Sequence, residues 1–98
     1  MKQYFWDGFK NERLNRVYGV SFEEIVAIIN AELVLDIIEN PNQLQYAGQK
    51  MFVVVMKEYV YLVPFRETNE RVSLITAYPS RKATKKYLRK GSNEKPQT

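Results

Sequence analysis

Residues 49–66 read QKMFVVVMKEYVYLVPFR, and this stretch decides the fold. Gln49 to Lys57 is apolar at successive positions, so both faces of an extended strand would be covered, as in the centre of a sheet. Tyr59 to Arg66 follows after almost no linker, and two such runs should pair as an antiparallel hairpin. Pro64 has no N–H to give to a ladder, which suggests an edge or strand-end position. Downstream, Glu67-Thr68-Asn69-Glu70 is a turn. Arg71 to Ala77 then alternates, with Val72, Leu74 and Thr76 on one face and Arg71, Ser73 and Ile75 on the other.

Upstream, Asn40-Pro41-Asn42 breaks an apolar, β-branched run over Leu33–Glu39. Before it lies a strong helix start. In Ser21-Phe22-Glu23-Glu24, Ser21 can accept from the Glu24 amide and Glu24 can reach back to the Ser21 amide. Val20 and Ile25 supply a hydrophobic staple. Phe22, Ile25, Val26, Ile29 and Leu33 recur at helical spacing, which predicts a helix over residues 22–31. Asp7 is placed to cap an earlier helix over Gly8–Tyr18, with Gly19 as its stop. Lys2 to Trp6 is a short β-prone start. At the other end, Ser80 caps a last helix with a thin apolar stripe of Ala83, Tyr87 and Leu88. Gly91 should end it, and residues 92–98 should form a disordered tail.

The order is strand, two helices, four strands of which three form a meander, then a basic helix. It predicts one α+β domain over residues 1–91 with an antiparallel sheet.

The composition is globular, with 45% hydrophobic and 27% charged residues among 98. The longest uncharged apolar run, Met51–Met56, is far too short to span a bilayer, and the start of the chain has no apolar leader ahead of Asp7. A cytoplasmic protein without a membrane partner is the expectation. The chain contains no cysteine and no histidine. That excludes disulfides, thiolate or imidazole metal sites, cysteine nucleophiles and Ser-His-Asp catalysis. The four glycines, at 8, 19, 48 and 91, form no phosphate loop, so no nucleotide cofactor is expected. The acid pairs Glu23/Glu24, Asp36/Glu39 and Glu67/Glu70 lack the geometry of a metal or glycosidase pair, and no metal is expected.

Charge is unevenly distributed. Residues 80–98 hold seven basic groups and one acid, whereas residues 1–79 hold eight basic groups and ten acids. A cationic helix on a mildly acidic body suits a polyanionic or acidic partner, or serves as a solvated face. The chemistry left to Arg, Lys and Tyr is metal-independent RNA cleavage, in which the ribose 2′-hydroxyl attacks the adjacent phosphate. Guanidinium groups match phosphate oxygens in pairs, lysine or tyrosine can move protons, and aromatic rings can stack splayed bases. The candidate phosphate binders are Arg66 and Arg81, expected to gather with Tyr87 in one pocket near the junction of the last strand and the basic helix. The candidate proton movers are Lys10, Tyr18 and Tyr87. Trp6 and Tyr78 are candidate RNA contacts, and the helix carrying Lys82, Thr84, Lys85, Lys86 and Arg89 would track the backbone. Against this, Trp6 and Tyr87 also read as core anchors, and the cations as solvent-facing.

Two segments resemble a known family. Trp6-Asp7, Lys10-Asn11 and Tyr18-Gly19-Val20-Ser21-Phe22-Glu23-Glu24 resemble the amino-terminal signature of BrnT-type toxins. Leu74-Ile75-Thr76-Ala77 followed by Arg81-Lys82-Ala83-Thr84-Lys85-Lys86 resembles that family's closing strand-to-helix segment. Between them, residues 33–70 match in pattern alone. The resemblance implies a RelE-like fold and a ribonuclease toxin of a type II toxin–antitoxin system, with a cognate antitoxin that occludes it in a hetero-oligomer. Trp6, Asp7, Lys10, Arg81 and Thr84 match the family pattern. Tyr18 stands where the family carries a histidine, Tyr78-Pro79-Ser80 is an insertion before Arg81, and Lys85-Lys86 replaces the usual acid. Two other functions fit the same sequence. One is a non-catalytic module of the same fold that docks an antitoxin or nucleic acid through the basic helix. The other is a sheet-mediated oligomer built on the apolar hairpin.

Overall fold

The computed structural model describes residues 2–89. The side chain of Arg89, the expected Gly91 stop and the expected tail over residues 92–98 lie outside the described residues. The elements are β1 (Gln3–Phe5), α1 (Gly8–Tyr18), α2 (Phe22–Asn30), β2 (Asp36–Glu39), β3 (Lys50–Met56), β4 (Tyr59–Glu67), β5 (Arg71–Leu74), β6 (Tyr78–Pro79) and α3 (Arg81–Thr84), which runs on into a π-helical turn, Lys85–Arg89. This is an α+β fold with an open sheet dominated by antiparallel pairs.

Local chemistry sets the helix ends. Asp7 Oδ1 accepts from the amides of Phe9 (2.7 Å) and Lys10 (3.2 Å). Gly19 takes the left-handed conformation at φ 73° that favours glycine and closes α1 with a bond to the Asn15 carbonyl. Ser21 Oγ accepts from the Glu24 amide at 3.1 Å. The reciprocal half of the expected capping box does not form: the Glu24 carboxylate makes no hydrogen bond among the described residues. Its neighbour Glu23 accepts from Asn11 Nδ2 at 2.8 Å, and Asn11 Oδ1 takes the Phe22 amide at 2.7 Å. The Asn11 amide, then the Glu23 backbone, holds the Glu23 carboxyl below the ordinary carboxylate range. Leu33 lies beyond the helix and is 64% exposed, so the apolar stripe ends at Ile29.

The hairpin forms with Met56 opposite Tyr59 and Lys50 opposite Phe65. Its two turn residues, Lys57 (φ 56°) and Glu58 (φ 62°), both adopt the left-handed region that a tight primed turn requires. The sheet order is β1-β5-β4-β3-β2, so β2 to β5 are a meander of four strands rather than three. β1 joins the far edge parallel to β5, and α1 and α2 carry the chain from there to β2 at the opposite edge.

Both faces of β3 and β4 are covered. Phe52, Val54, Tyr61, Val63 and Phe65 meet Leu14, Phe22 and Ile25 of the first two helices, with Phe52 and Phe65 stacked at 4.0 Å. Val53, Val60, Leu62 and Ile38 meet Ala83, Tyr87 and Leu88 on the opposite face.

The segment after the second turn departs from expectation. Arg71–Ala77 is not one strand. β5 stops at Leu74, and β6 resumes along the same edge of β4. Leu74 faces Phe65, but Tyr78 faces Leu62, so one extra residue has entered between them: a β-bulge across residues 75–77. Pro64 sits opposite this bulge, buried in the central strand β4, and not at an edge or a strand end. Its carbonyl accepts from the Ile75 amide at 2.9 Å. The return bond would need a proline N–H and cannot form. Lys10 Nζ donates to the Ile75 carbonyl instead, at 3.1 Å. The bulge thus lies opposite the proline and takes a side-chain substitute for the missing donor.

Candidate nucleic-acid interface

The bulge faces α1, and the two enclose a cleft of about 200 Å³ lined by Lys10, Arg13, Leu14, Val17, Tyr18, Thr76, Ala77 and Tyr78. Lys10 and Arg13 are three residues apart on α1, and both line this cleft. Tyr18, one turn beyond, rests edge-on against Tyr61 with centroids 6.0 Å apart and keeps 40% of its surface exposed. Two cations, a phenol and the Thr76 hydroxyl on an aliphatic wall form a site suited to a phosphate and an adjoining sugar or base. Of the expected catalytic residues, the structure brings Lys10 and Tyr18 to this cleft. Arg13 and Thr76 were not anticipated. Helical spacing from Lys10 was the available signal for Arg13, and the alternation that puts Thr76 on the face of Val72 and Leu74 was the signal for Thr76.

Tyr78 contributes to the cleft wall but not its phenol. Its register partner Leu62 belongs to the opposite face, and the Tyr78 hydroxyl reaches Met51 Sδ at 3.5 Å there. Burial, and then Tyr46, pushes this phenol above the ordinary tyrosine range.

The remaining candidates are dispersed. Arg66 lies at the far end of β4, in a recess of about 440 Å³ shared with Gln49, Lys50 and Thr68. Arg81 follows β6, which pairs with the other end of β4, and lines a notch with Tyr59, Thr84 and Lys85. Seven steps of extended strand lead from Tyr59 to Arg66, about 23 Å. Tyr87 occupies a third place, an apolar groove. Its hydroxyl donates to Asp36 Oδ2 at 2.8 Å, and burial, then Asp36, pushes its pKa up. The expected pocket uniting Arg66, Arg81 and Tyr87 is therefore not formed. The reason is length: β4 runs from Tyr59 to Glu67, and the helix follows the strand paired near only one of its ends.

Several residues singled out from sequence are tied into the architecture. Thr84 is buried. Its Oγ1 accepts from the Val60 amide at 2.9 Å and donates to the Ser80 carbonyl at 2.7 Å, pinning α3 to the end of β4. Trp6 stacks on Phe22 at 5.9 Å and packs against the core. The amino-terminal signature thus holds the fold together at most of its positions: Asp7 and Ser21 as caps, Asn11 as the link between the helices, Trp6 as packing. Lys82, Lys85 and Lys86 are exposed, but they do not share a face: Lys85 joins Arg81 at the notch, while Lys82 and Lys86 border the groove beside Tyr87.

Among the described residues, no acidic cluster could hold a metal ion, and no helix is long and apolar enough to cross a membrane. Comparison of the chain with protein-family models, curated proteins and solved structures finds no match in any of the three.

Proposed function

We propose that this chain is a RelE-like toxin of the BrnT kind that acts on RNA, with its phosphodiester site in the cleft between α1 and the bulge. The observation that carries the reading is the convergence of Lys10, Arg13 and Tyr18 on that cleft. The element order, with two helices before an antiparallel meander and a basic helix after it, is in keeping with the same resemblance. Arg13 would bind the phosphate in its planar fork, with Lys10 adding charge as the pentavalent phosphorane develops. In the reaction the 2′-oxygen bonds to phosphorus and the 5′-oxygen leaves. Water takes the proton from the 2′-hydroxyl, the Tyr18 phenol gives one to the departing 5′-oxygen and is reprotonated from solvent, and the products are a 2′,3′-cyclic phosphate end and a free 5′-hydroxyl. No metal is required, and the natural counterpart would be a cytoplasmic antitoxin.

The test is incubation of purified chain with RNA in the presence of a chelator. Cleavage is expected, with Arg13→Ala reducing its rate by roughly 10²-fold, the usual size of losing one transition-state donor. Undiminished cleavage by Arg13→Ala sinks the site assignment.

A second reading, a non-catalytic RNA-binding module, is favoured by one observation. Lys10 Nζ is already engaged by Ile75, and the arginines expected to assist lie elsewhere. RNA bound without product identifies this case.

A further inference from the structure

The cationic helix has two working sides. Arg81 and Lys85 face the notch beside Tyr59. Lys82 and Lys86, also four residues apart, border a separate groove of about 270 Å³. The floor of that groove is aliphatic, made by Ile38, Met51, Leu62 and Ala83, and no acidic side chain is among its described lining residues. The nearest carboxylate to its aromatic end, Asp36, is engaged by the Tyr87 hydroxyl, while Lys86 Nζ lies 5.3 Å from the Tyr87 ring centroid. A nucleic-acid backbone gains from the two lysines but nothing from the floor. A segment with apolar residues on one side and carboxylates on the other gains from both.

We propose that this groove docks an acidic amphipathic peptide segment of a partner protein, its apolar side chains on the Ile38–Leu62 floor and its carboxylates on Lys82 and Lys86. The groove opens on the face covered by α3, whereas the cleft of Lys10 and Arg13 lies on the face covered by α1. Peptide and RNA can therefore be held together. The docking site stands independently of the RNA reading.

The experiment is amide-shift mapping of the isotope-labelled chain, titrated with a designed acidic amphipathic helix of leucine and glutamate. Shifts are expected at Leu62, Lys82 and Ala83 and not at Arg13, weakening as salt is raised. Lys82→Glu with Lys86→Glu should weaken binding about tenfold or more. The same peptide with lysine in place of glutamate should then prefer the doubly changed chain, which also shows that this chain is folded. Three results overturn the proposal: peptide shifts centred on Arg13, groove shifts that grow with protein concentration in the absence of peptide (a second copy as occupant), or displacement of the peptide from Lys82 and Lys86 by an RNA oligonucleotide. Failure of RNA to bind anywhere sinks the RNA reading and leaves the groove result intact.

Discussion

Thr84 shows how a residue selected for its polarity can be occupied entirely with the fold. Its hydroxyl satisfies the Val60 amide and the Ser80 carbonyl together, in a place where water has little access. Thr84→Val keeps the shape and orphans the amide, so a loss of about 2 kcal/mol is expected. That would lower the melting temperature by roughly 10 °C in a domain of this size; calorimetry decides it, and an unchanged melting point would mean water replaces the hydroxyl. Arg13 belongs to the opposite category: exposed, without a structural bond among the described residues, and beside Lys10. If it meets a phosphate, Arg13→Ala lowers the salt dependence of RNA binding by about 0.7 in log–log slope while leaving stability unchanged. Fluorescence anisotropy over a salt series measures both affinity and slope. Three tyrosines set an alkaline limit. Tyr61, Tyr78 and Tyr87 all have folded pKa values raised first by burial. The folded chain therefore holds these protons after the unfolded chain has released them at about pH 10. Their stabilising contribution is complete below that pH and is lost as pH climbs through the raised values. Phenolate absorbance should rise in at least two phases, the later one reduced by Tyr87→Phe.

At the scale of elements, the bulge and the hairpin turn each carry local strain or a missing bond that the surroundings offset. Pro64 removes one ladder donor, and Lys10 supplies another from α1. The pair is therefore coupled. Lys10→Met alone should cost up to about 1 kcal/mol, since water can partly replace an exposed ammonium. In a Pro64→Val background, where a backbone N–H is restored opposite Ile75, the same change should cost close to nothing. A double-mutant cycle by chemical denaturation tests this coupling. Lys57 and Glu58 occupy left-handed conformations that glycine adopts freely. Glu58→Gly should stabilise the hairpin by about 1 kcal/mol, the strain relieved exceeding the entropy added to the unfolded chain. A lower denaturation midpoint would mean that Glu58 is held by contacts worth more than its strain.

For the whole molecule, the sheet works as a partition, with the α1 cleft on one face, the apolar groove on the other and the Arg66 recess at a far strand end. Much of this framework was already written in the residues. Asp7, Gly19, Ser21 and Ser80 mark helix ends through bonds that reach at most four positions along the chain, and QKMFVVVMKEYVYLVPFR states by its continuous apolar runs and near-absent linker that it is paired and doubly covered. Such information is local, so reading along the sequence recovers it. The shape of the site is not local. Whether Arg66 and Arg81 meet depends on the length of β4 and on which end β6 joins. Where the Tyr78 phenol points depends on one extra residue at the bulge, which reverses every later side chain along that edge. The division of the basic helix into a notch side and a groove side depends on which cations follow Ala83 onto the sheet. Composition and spacing therefore determined the elements and the chemistry available to them. Only tertiary structure decided which of those groups share a cleft, because register and strand length are settled by packing between segments dozens of residues apart.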